Sequence, residues 1–316
     1  MKIVFLDSAT LGSTDFASLK DNFDVLFYNL TNKEQTCERI SDADIVITNK
    51  VVLSKEVLQS AKNLKLICVA ATGFNNIDIE ACKSLNIAVA NVRNYSTAGV
   101  VQHTFALAFA LIGKIAQLNH FALSGKYAKN SHFSCFDYEW EEITGKKWGI
   151  IGLGTIGSSV AKIAKAFGCE IIYYSVSGKN SNSEFSRVEL DELLKTSDII
   201  SIHCPLSEFT KWLLKSDKIA LLKQNAILIN VARGGIVDEN AISIALNNNK
   251  LGGYATDVFE FEPINTDNPL LKCDAEKVIL TPHIAWAGRQ SREKLLEQIL
   301  QNIQAFLDGK ILNRVA

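Results

Sequence analysis

The sequence predicts an α/β protein in which doubly wound parallel sheets form two domains. Its 316 residues exceed the usual size of one compact core, so two domains are expected. Short apolar runs rich in branched residues alternate with segments of helical periodicity along the chain. This alternation is typical of parallel sheets covered by helices on both faces.

The first third of the chain contains five apolar runs with the length of buried strands. Because they belong to the alternating pattern, they predict one α/β unit. These strands are Lys2–Leu6, Asp24–Tyr28, Ile45–Thr48, Leu66–Ala70 and Ala88–Ala90. A helical stretch from Ser96 to Leu111 follows, and a polar, aromatic segment from Tyr127 to Lys147 comes after it.

A second set of apolar runs predicts a second sheet. Its strands are Trp148–Ile151, Glu170–Tyr174, Ile199–His203, Ala226–Asn230, Gly253–Thr256 and Val278–Leu280. The last stretch, Arg289 to Leu307, has helical periodicity. One stripe of this helix carries Leu295, Leu296, Ile299, Leu300, Ile303, Phe306 and Leu307. A helix with such a stripe needs a surface on which to dock.

Composition and charge argue against several classes of protein. The formal net charge is −1, and the basic residues are scattered, so we expect no nucleic-acid partner. The apolar runs are far shorter than the ~20 residues that a membrane span needs, and the N-terminus lacks the pattern of a signal peptide. The seven cysteines are never spaced Cys-x-x-Cys, which predicts reduced structural thiols and no metal site. We therefore expect a soluble, cytoplasmic protein with no membrane partner.

A glycine-rich turn follows the strand Trp148–Ile151. Gly152, Gly154 and Gly157 are spaced Gly-x-Gly-x-x-Gly, and helical periodicity begins directly after them. Such glycines allow a tight turn, close approach of the backbone to a pyrophosphate, and close packing of helix on strand. Glycine also serves ordinary turns, but the strand before and the helix after favour a dinucleotide-binding site.

The next strand, Glu170–Tyr174, bears on the choice of cofactor. A carboxylate that binds the ribose 2′-hydroxyl is expected about twenty positions past the glycines, but Ser175 stands there instead. Serine can bond to a ribose without repelling a 2′-phosphate, and Lys179 is either a solvated turn residue or a phosphate contact. The choice between NAD and NADP is therefore open at this stage.

Three polar residues follow three other predicted strands. Arg233, Glu262 and His283 each come where the chain leaves a strand at its carboxyl end, which is where ligands collect in open α/β sheets. Singly, each has a structural interpretation as a surface ion pair, a solvated loop charge or a loop imidazole. Beside a dinucleotide site, the three together supply the groups that a keto-acid reductase needs.

Nearly the whole chain resembles the D-2-hydroxyacid dehydrogenases, in the branch that contains glycerate dehydrogenase and hydroxypyruvate reductase. Several ordered motifs carry this resemblance, which makes it more specific than any one of them. They are Ala71–Asp78, Val101–Thr104, Gly152–Gly157, His203–Leu206, Val231–Gly235, Glu262–Pro263 and Thr281–Trp286.

The resemblance implies two Rossmann-like or flavodoxin-like domains, with the cofactor domain inserted into the substrate domain. Residues 1–98 plus 287–316 would form the substrate-binding domain, and residues 99–286 the NAD(P)-binding domain. The C-terminal helix would then dock on the first domain. The resemblance also implies a homodimer, with the aromatic segment from Phe133 to Trp140 reaching the partner or covering its own core.

The resemblance further assigns roles to individual residues. The implied catalytic residues are Arg233, Glu262 and His283, and the implied substrate-binding residues are Thr72, Gly73 and Arg233. The implied cofactor contacts are Thr72, Thr104, Gly152, Gly154, Thr155, Ile156, Gly157, Ser175, Cys204, Val231, Ala232, Arg233, Asp257, His283 and Ala285. NAD is the expected cofactor, and NADP stays open because Ser175 replaces the family's usual acidic residue.

The implied activity is hydride transfer between NAD(P)H and a small 2-keto acid, with hydroxypyruvate or glyoxylate as substrate. His283 would donate the proton, Glu262 would keep the imidazole protonated, and Arg233 would bind the substrate with its planar fork. A 3-phosphoglycerate or D-lactate-type dehydrogenase is the alternative within the family, whereas formate dehydrogenase is disfavoured because it carries Gln at the position of Glu262. A non-catalytic, dinucleotide-sensing protein of the corepressor type is the alternative from another class.

Overall fold

A computed structural model describes residues 1–178 and 182–316 of the chain. Its internal contacts divide the chain into two units, Met1–Ser96 with Ala287–Ala316, and Thr97–Trp286. The division expected from the resemblance falls after residues 98 and 286. Lys179, which the sequence analysis considered as a phosphate contact, lies outside the described residues.

The N-terminal part of the first unit forms one parallel sheet with its helices. The strands are β1 (Ile3–Phe5), β2 (Val25–Phe27), β3 (Ile45–Thr48), β4 (Leu66–Val69) and β5 (Ala88–Ala90), and the helices are α1 (Ala17–Asn22), α2 (Lys33–Ile40), α3 (Lys55–Ser60) and α4 (Ile79–Ser84). The strand order is β2-β1-β3-β4-β5, and every pair is parallel. This is the flavodoxin-like order of a doubly wound sheet. Strands β3 and β4 are buried along their whole length, which explains their continuous apolar sequences.

The second unit contains a larger parallel sheet. Its helices are α5 (Thr97–Ile112), α6 (Ile115–Leu123), α7 (Thr155–Ala166), α8 (Leu190–Thr196), α9 (Ser216–Ile219) and α10 (Glu239–Asn247). Its strands are β6 (Lys147–Ile151), β7 (Glu170–Tyr174), β8 (Ser186–Arg187), β9 (Ile199–Ile202), β10 (Ile227–Asn230), β11 (Gly253–Thr256) and β12 (Val278–Leu280). The sheet order is β12-β11-β10-β9-β6-β7-β8, and every pair is parallel. The predicted fold class is therefore confirmed, with β8 as a strand that the prediction lacked.

The strand order of the second sheet reverses direction at β6. The chain leaves β6 towards β7 on one side, whereas β9 pairs with β6 on the other side. Such a reversal of strand order opens a ligand site above the strand ends. Trp148 lies in the core of this unit, where it is fully buried and donates its Nε1–H to Ser201 Oγ at 2.9 Å.

The chain returns to the first unit with helix α11 (Arg289–Leu307), whose bounds are those predicted. Leu295, Leu296, Ile299 and Ile303 of the predicted stripe are buried, and the helix packs against β4. Leu307, at the end of the stripe, is exposed. The helix thus finds a docking surface within its own unit.

Three further features of the described residues concern membrane spans, metal ligands and cysteines. No single helix there is long and apolar enough to cross a membrane, although the pair α5 and α6, which is bent by 60°, passes on length and composition alone. No group of three or more His, Cys, Asp or Glu side chains within residues 1–178 and 182–316 could hold a metal ion. All seven cysteines are free thiols.

Candidate active site

The glycine turn after β6 has the close packing that its spacing predicts. Gly152 has a φ of +96°, and a Cβ atom there would lie 2.7 Å from the backbone nitrogen of Cys204. A Cβ at Gly157 would lie 2.1 Å from the carbonyl oxygen of Gly152. A Cβ at Gly154, in contrast, would meet nothing within 4 Å. The first and third glycines are therefore required for packing, whereas the second borders open space.

Helix α7 presents a free N-terminus at this turn. Gly154 is its N-cap, no side chain of the described residues caps the helix, and no acidic residue occupies its first turn. The first backbone N–H groups of a helix have no partner within the helix, and they lie at the positive end of its dipole. The amides of Thr155 and Ile156 belong to this first turn, so these two predicted cofactor contacts lie where an anion is favoured.

Ser175 follows β7 directly and is only 3% exposed. Its Oγ is buried without a hydrogen-bond partner among the described residues. Its carbonyl oxygen accepts a bond from the backbone N–H of Gly178 at 3.1 Å, which closes a turn. A buried hydroxyl without a partner is costly, and a ligand that bonds to it removes that cost.

The structure brings two of the three predicted catalytic side chains together. Nδ1 of His283 lies 2.6 Å from Oε2 of Glu262, and the two side chains are 25% and 32% exposed. The second carboxylate oxygen, Oε1, accepts a bond from the backbone N–H of Phe259 at 3.0 Å. Because the carboxylate accepts at Nδ1, that nitrogen carries a proton. The other ring nitrogen, Nε2, bonds to none of the described residues and is free to exchange a proton with a ligand.

Asp257 anchors the loop that carries His283. Its carboxylate is buried and accepts three hydrogen bonds from this loop. The donors are Thr281 Oγ1 at 2.7 Å, the backbone N–H of Ile284 at 2.9 Å and the backbone N–H of Ala285 at 2.8 Å. The loop is thereby fixed on both sides of the histidine. From the sequence, Asp257 and Ala285 were predicted only as cofactor contacts, and this anchor was not predicted.

His103 of α5 extends this network. Its Nε2 lies 3.0 Å from Thr281 Oγ1. Because Thr281 donates its single proton to Asp257, it accepts from His103, which sets the proton of His103 on Nε2. From the sequence, His103 was recognised only as part of the motif Val101–Thr104, and its hydrogen bond was not predicted.

Arg233 stands in the loop after β10. Asn230, which is buried, donates its amide to the carbonyl oxygen of Arg233 at 2.9 Å and accepts from the backbone N–H of Ala232 at 3.1 Å. The guanidinium is exposed, and its one hydrogen bond within residues 1–178 and 182–316 goes to the carbonyl oxygen of Ala232 at 2.7 Å. Arg233 makes no ion pair with a carboxylate in the described part of the chain, so its charge is available to an anion.

The three catalytic candidates share one edge of the sheet. Arg233, Glu262 and His283 follow β10, β11 and β12, which are neighbouring parallel strands. The described residues show no hydrogen bond from Arg233 to Glu262 or His283. The structure therefore brings Glu262 and His283 into direct contact and places Arg233 on a neighbouring strand end.

Thr72 and Gly73 belong to the first unit and follow β4. Thr72 Oγ1 donates to the carbonyl oxygen of Val92 at 2.9 Å, and its own carbonyl accepts the side-chain amide of Asn91 at 2.7 Å. The backbone N–H groups of Thr72 and Gly73 donate to no described residue. Their predicted role towards the substrate stays a prediction.

The remaining predicted cofactor contacts lie in the second unit. Thr104 is buried in α5, where its Oγ1 donates to the carbonyl oxygen of Val100 at 2.8 Å. Cys204 and Val231, which follow β9 and β10, are also buried. Burial raises the pKa of the Cys204 thiol to about 11, so this thiol stays protonated and is no nucleophile at neutral pH.

His203, between β9 and Cys204, has a buried environment that was not predicted from the sequence. Its Nε2 lies 2.9 Å from Ser201 Oγ, and its Nδ1 is buried without a partner among the described residues. Burial lowers the pKa of His203 to about 3. The imidazole is therefore neutral and is no proton donor at neutral pH.

Comparisons with known proteins show which family the chain resembles. The model of the family described as "D-isomer specific 2-hydroxyacid dehydrogenase, NAD binding domain" matches residues 105–285. The chain is 38% identical to the hydroxypyruvate reductase of Blautia hydrogenotrophica, over 100% of this chain and 99% of that protein. It is 37% identical to the glycerate dehydrogenase of Methylorubrum extorquens, over 99% of this chain and 98% of that protein.

Solved structures show the same architecture. An acyclic imino acid reductase, Bsp5, determined in complex with NADPH and D-Arg, superposes with a TM-score of 0.88 at 31% identity. The superposition covers 100% of both chains. The likeness therefore extends over the full length of the chain.

Proposed function

The chain belongs to the D-isomer specific 2-hydroxyacid dehydrogenase family, and we propose that it reduces hydroxypyruvate or glyoxylate to the matching 2-hydroxy acid. The observation that carries the proposal is the pair of His283 and Glu262, with 2.6 Å between Nδ1 and Oε2. This pair stands at the same edge of the sheet as the glycine turn. The names of the two relatives, hydroxypyruvate reductase and glycerate dehydrogenase, support a small 2-keto acid as substrate.

The residues around the glycine turn fit a nicotinamide dinucleotide. Open space borders Gly154, the N-terminus of α7 is uncapped, and the buried hydroxyl of Ser175 lacks a partner. We assign the pyrophosphate to the amides of Thr155 and Ile156, with Cys204, Val231 and Ala232 as further contacts at the strand ends. When bound, the nicotinamide supplies the hydride that reduces C2 of the keto acid.

His283 supplies the proton for this reduction. The carboxylate of Glu262 stabilises the positive imidazolium and holds the ring through Nδ1. Nε2, which has no partner among the described residues, then donates its proton to the carbonyl oxygen as negative charge develops there. In the oxidative direction the neutral ring accepts the hydroxyl proton at the same nitrogen.

Arg233 binds the substrate carboxylate or carbonyl oxygen. Its guanidinium has no carboxylate partner in the described part of the chain, and its planar fork suits a bidentate bond to a carboxylate. Backbone N–H groups of Thr72 and Gly73 are proposed as additional donors to the substrate carboxylate, on the strength of the resemblance. This set orients C2 and leaves proton transfer to His283.

We also propose a cytoplasmic homodimer. The segment from Phe133 to Trp140 carries exposed aromatic side chains, among them Phe133 at 90%, Phe136 at 76% and Trp140 at 58%. Exposed aromatic clusters are typical of interfaces. Light scattering on the purified protein distinguishes a dimer from a monomer.

A substrate panel tests the proposed activity. Hydroxypyruvate, glyoxylate, pyruvate and phosphohydroxypyruvate are each offered with NADH and with NADPH. Highest kcat/KM for hydroxypyruvate or glyoxylate supports the proposal, whereas highest kcat/KM for pyruvate or phosphohydroxypyruvate assigns a D-lactate-type or 3-phosphoglycerate dehydrogenase. The variant His283→Gln, which removes the proposed proton donor, is the matched control and should turn over none of the four keto acids. Dinucleotide binding without turnover of any keto acid contradicts the proposal and favours a dinucleotide-sensing protein of the corepressor type.

A further inference from the structure

The turn after β7 has a cation beside it that the sequence analysis did not identify. Arg187 forms β8 together with Ser186, and its Nη1–H donates to the carbonyl oxygen of Gly178 at 3.3 Å. Gly178 closes the turn that starts at Ser175, because its backbone N–H bonds to the carbonyl oxygen of Ser175. The guanidinium of Arg187 and the hydroxyl of Ser175 therefore border the same turn.

The pairing of the two strands explains this arrangement. Strands β7 and β8 are parallel neighbours, with Tyr173 opposite Arg187. Both strands thus end at the same edge of the sheet, and the side chains that follow them meet there. The edge is the one that carries the glycine turn, since β6 pairs with β7 in register from Lys147 to Ile151.

The charge of Arg187 is not neutralised by the described residues. Its one hydrogen bond there goes to a carbonyl oxygen, and no carboxylate of residues 1–178 or 182–316 forms an ion pair with it. Arg187 is exposed, so most of its N–H donors are open to a ligand. An arginine in this state is suited to a phosphate, which it can bind through two parallel hydrogen bonds.

We infer that this turn binds the 2′-phosphate of NADPH, with Arg187 supplying the charge and Ser175 a hydrogen bond. The inference deepens the proposed function and depends on it in one respect, that the glycine turn binds a dinucleotide. A carboxylate at the end of β7 would bind the ribose 2′-hydroxyl of NADH and repel a phosphate. Ser175 carries no charge that would repel a phosphate, and a bound phosphate gives its buried Oγ the hydrogen-bond partner that it lacks among the described residues. The chain therefore prefers NADPH to NADH, against the NAD expected from the resemblance.

Binding of two adenosine nucleotides to the full-length protein tests this inference without any turnover. Isothermal titration compares 2′,5′-ADP, which carries the 2′-phosphate, with 5′-AMP, which does not. We expect 2′,5′-ADP to bind about tenfold more tightly or better, which corresponds to about 1.4 kcal/mol. Arg187→Gln should bring the two affinities close together, and Ser175→Asp should favour 5′-AMP. Lys195→Gln, which removes an exposed cation on α8 of the same unit, is the matched control and should leave the ratio unchanged.

Three results overturn the inference. They are equal or weaker binding of 2′,5′-ADP by the wild-type protein, an unchanged ratio in Arg187→Gln, and an equal loss in Lys195→Gln. The wild-type comparison needs no variant, so a poorly folded variant does not prevent a decision. Failure of the proposed function is a separate outcome, because a protein that binds 2′,5′-ADP but reduces no keto acid retains the phosphate site. A protein that reduces hydroxypyruvate yet binds 5′-AMP more tightly supports the proposed function and contradicts the inferred phosphate site.

Discussion

Alanine substitutions at two glycines of the same turn should have different effects. One should destabilise the fold, and the other should weaken dinucleotide binding. At Gly157 the added methyl group would lie 2.1 Å from the carbonyl oxygen of Gly152 and 3.2 Å from Cγ2 of Ile150. At Gly154 it would meet no atom within 4 Å, and the φ of −80° suits any L-residue. Gly157→Ala therefore disturbs the packing of helix on strand, whereas Gly154→Ala disturbs only the space that a ligand needs.

The magnitudes follow from these distances. Overpacking of a core typically costs about 1–3 kcal/mol, and a contact this short with a backbone atom belongs at the upper end. Alanine recovers up to about 1 kcal/mol of helix propensity, which leaves a loss of about 2 kcal/mol. For a unit of about this size that loss lowers Tm by about 4–8 °C. Gly154→Ala should stay within about 1 kcal/mol of the wild type but lose about tenfold or more in dinucleotide affinity, because its methyl group occupies the space for the pyrophosphate.

Thermal unfolding followed by circular dichroism measures the first effect, and isothermal titration with NADH and NADPH measures the second. The two variants are controls for each other, since each adds one methyl group to the same turn. A Gly157→Ala protein with the Tm of the wild type would refute the packing argument. A Gly154→Ala protein that binds both dinucleotides as tightly as the wild type would show that the pyrophosphate does not lie at this turn.

Three other substitutions test the remaining steps. Arg233→Lys keeps the charge but loses the bidentate fork, so kcat/KM for the keto acid should fall about tenfold or more with dinucleotide affinity unchanged. A near-normal kcat/KM would show that Arg233 does not bind the substrate. Glu262→Gln removes the carboxylate that bonds to Nδ1 of His283, so kcat for keto-acid reduction should fall about tenfold or more. An unchanged kcat would exclude the pair from proton transfer. Burial lowers the pKa of His203 from 6.5 to about 3, so neutral His203 stabilises the fold above pH 6.5, and this contribution is lost as the pH falls towards 3. The free energy of urea unfolding of His203→Gln should therefore depend less on pH between these values than that of the wild type. An equal pH dependence in both proteins contradicts this prediction.

The regular elements were predictable because burial on both faces leaves a clear sequence pattern. Each predicted strand is present, and the C-terminal helix has the predicted bounds, Arg289–Leu307. Strand β8 was missed because its two residues, Ser186 and Arg187, are polar and exposed. A strand that buries nothing has no apolar run by which to recognise it. Arg187, the cation on which the cofactor inference depends, therefore lies in the strand with the weakest sequence pattern, β8.

The site was predictable only in part. Strand ends of a parallel sheet share one edge, which is why Arg233, Glu262 and His283 could be grouped before any geometry was known. Hydrogen bonds between distant residues leave no such pattern. Nothing in the sequence indicates that Asp257 accepts bonds from Thr281 and the following amides, or that His203 lacks a partner at Nδ1.

The backbone of His283 explains why the loop needs the anchor at Asp257. His283 has a φ of 51°, in the left-handed region, where a residue with a Cβ atom costs about 1–2 kcal/mol. Two backbone N–H groups directly after it bond to the buried carboxylate of Asp257, and bonds to a charged acceptor are worth about 1.5–3 kcal/mol each. The free energy of these two bonds exceeds the cost of the left-handed conformation, so this conformation does not need a ligand to stabilise it. The orientation that joins Nδ1 to Glu262 and leaves Nε2 free is therefore set by the fold before any substrate binds.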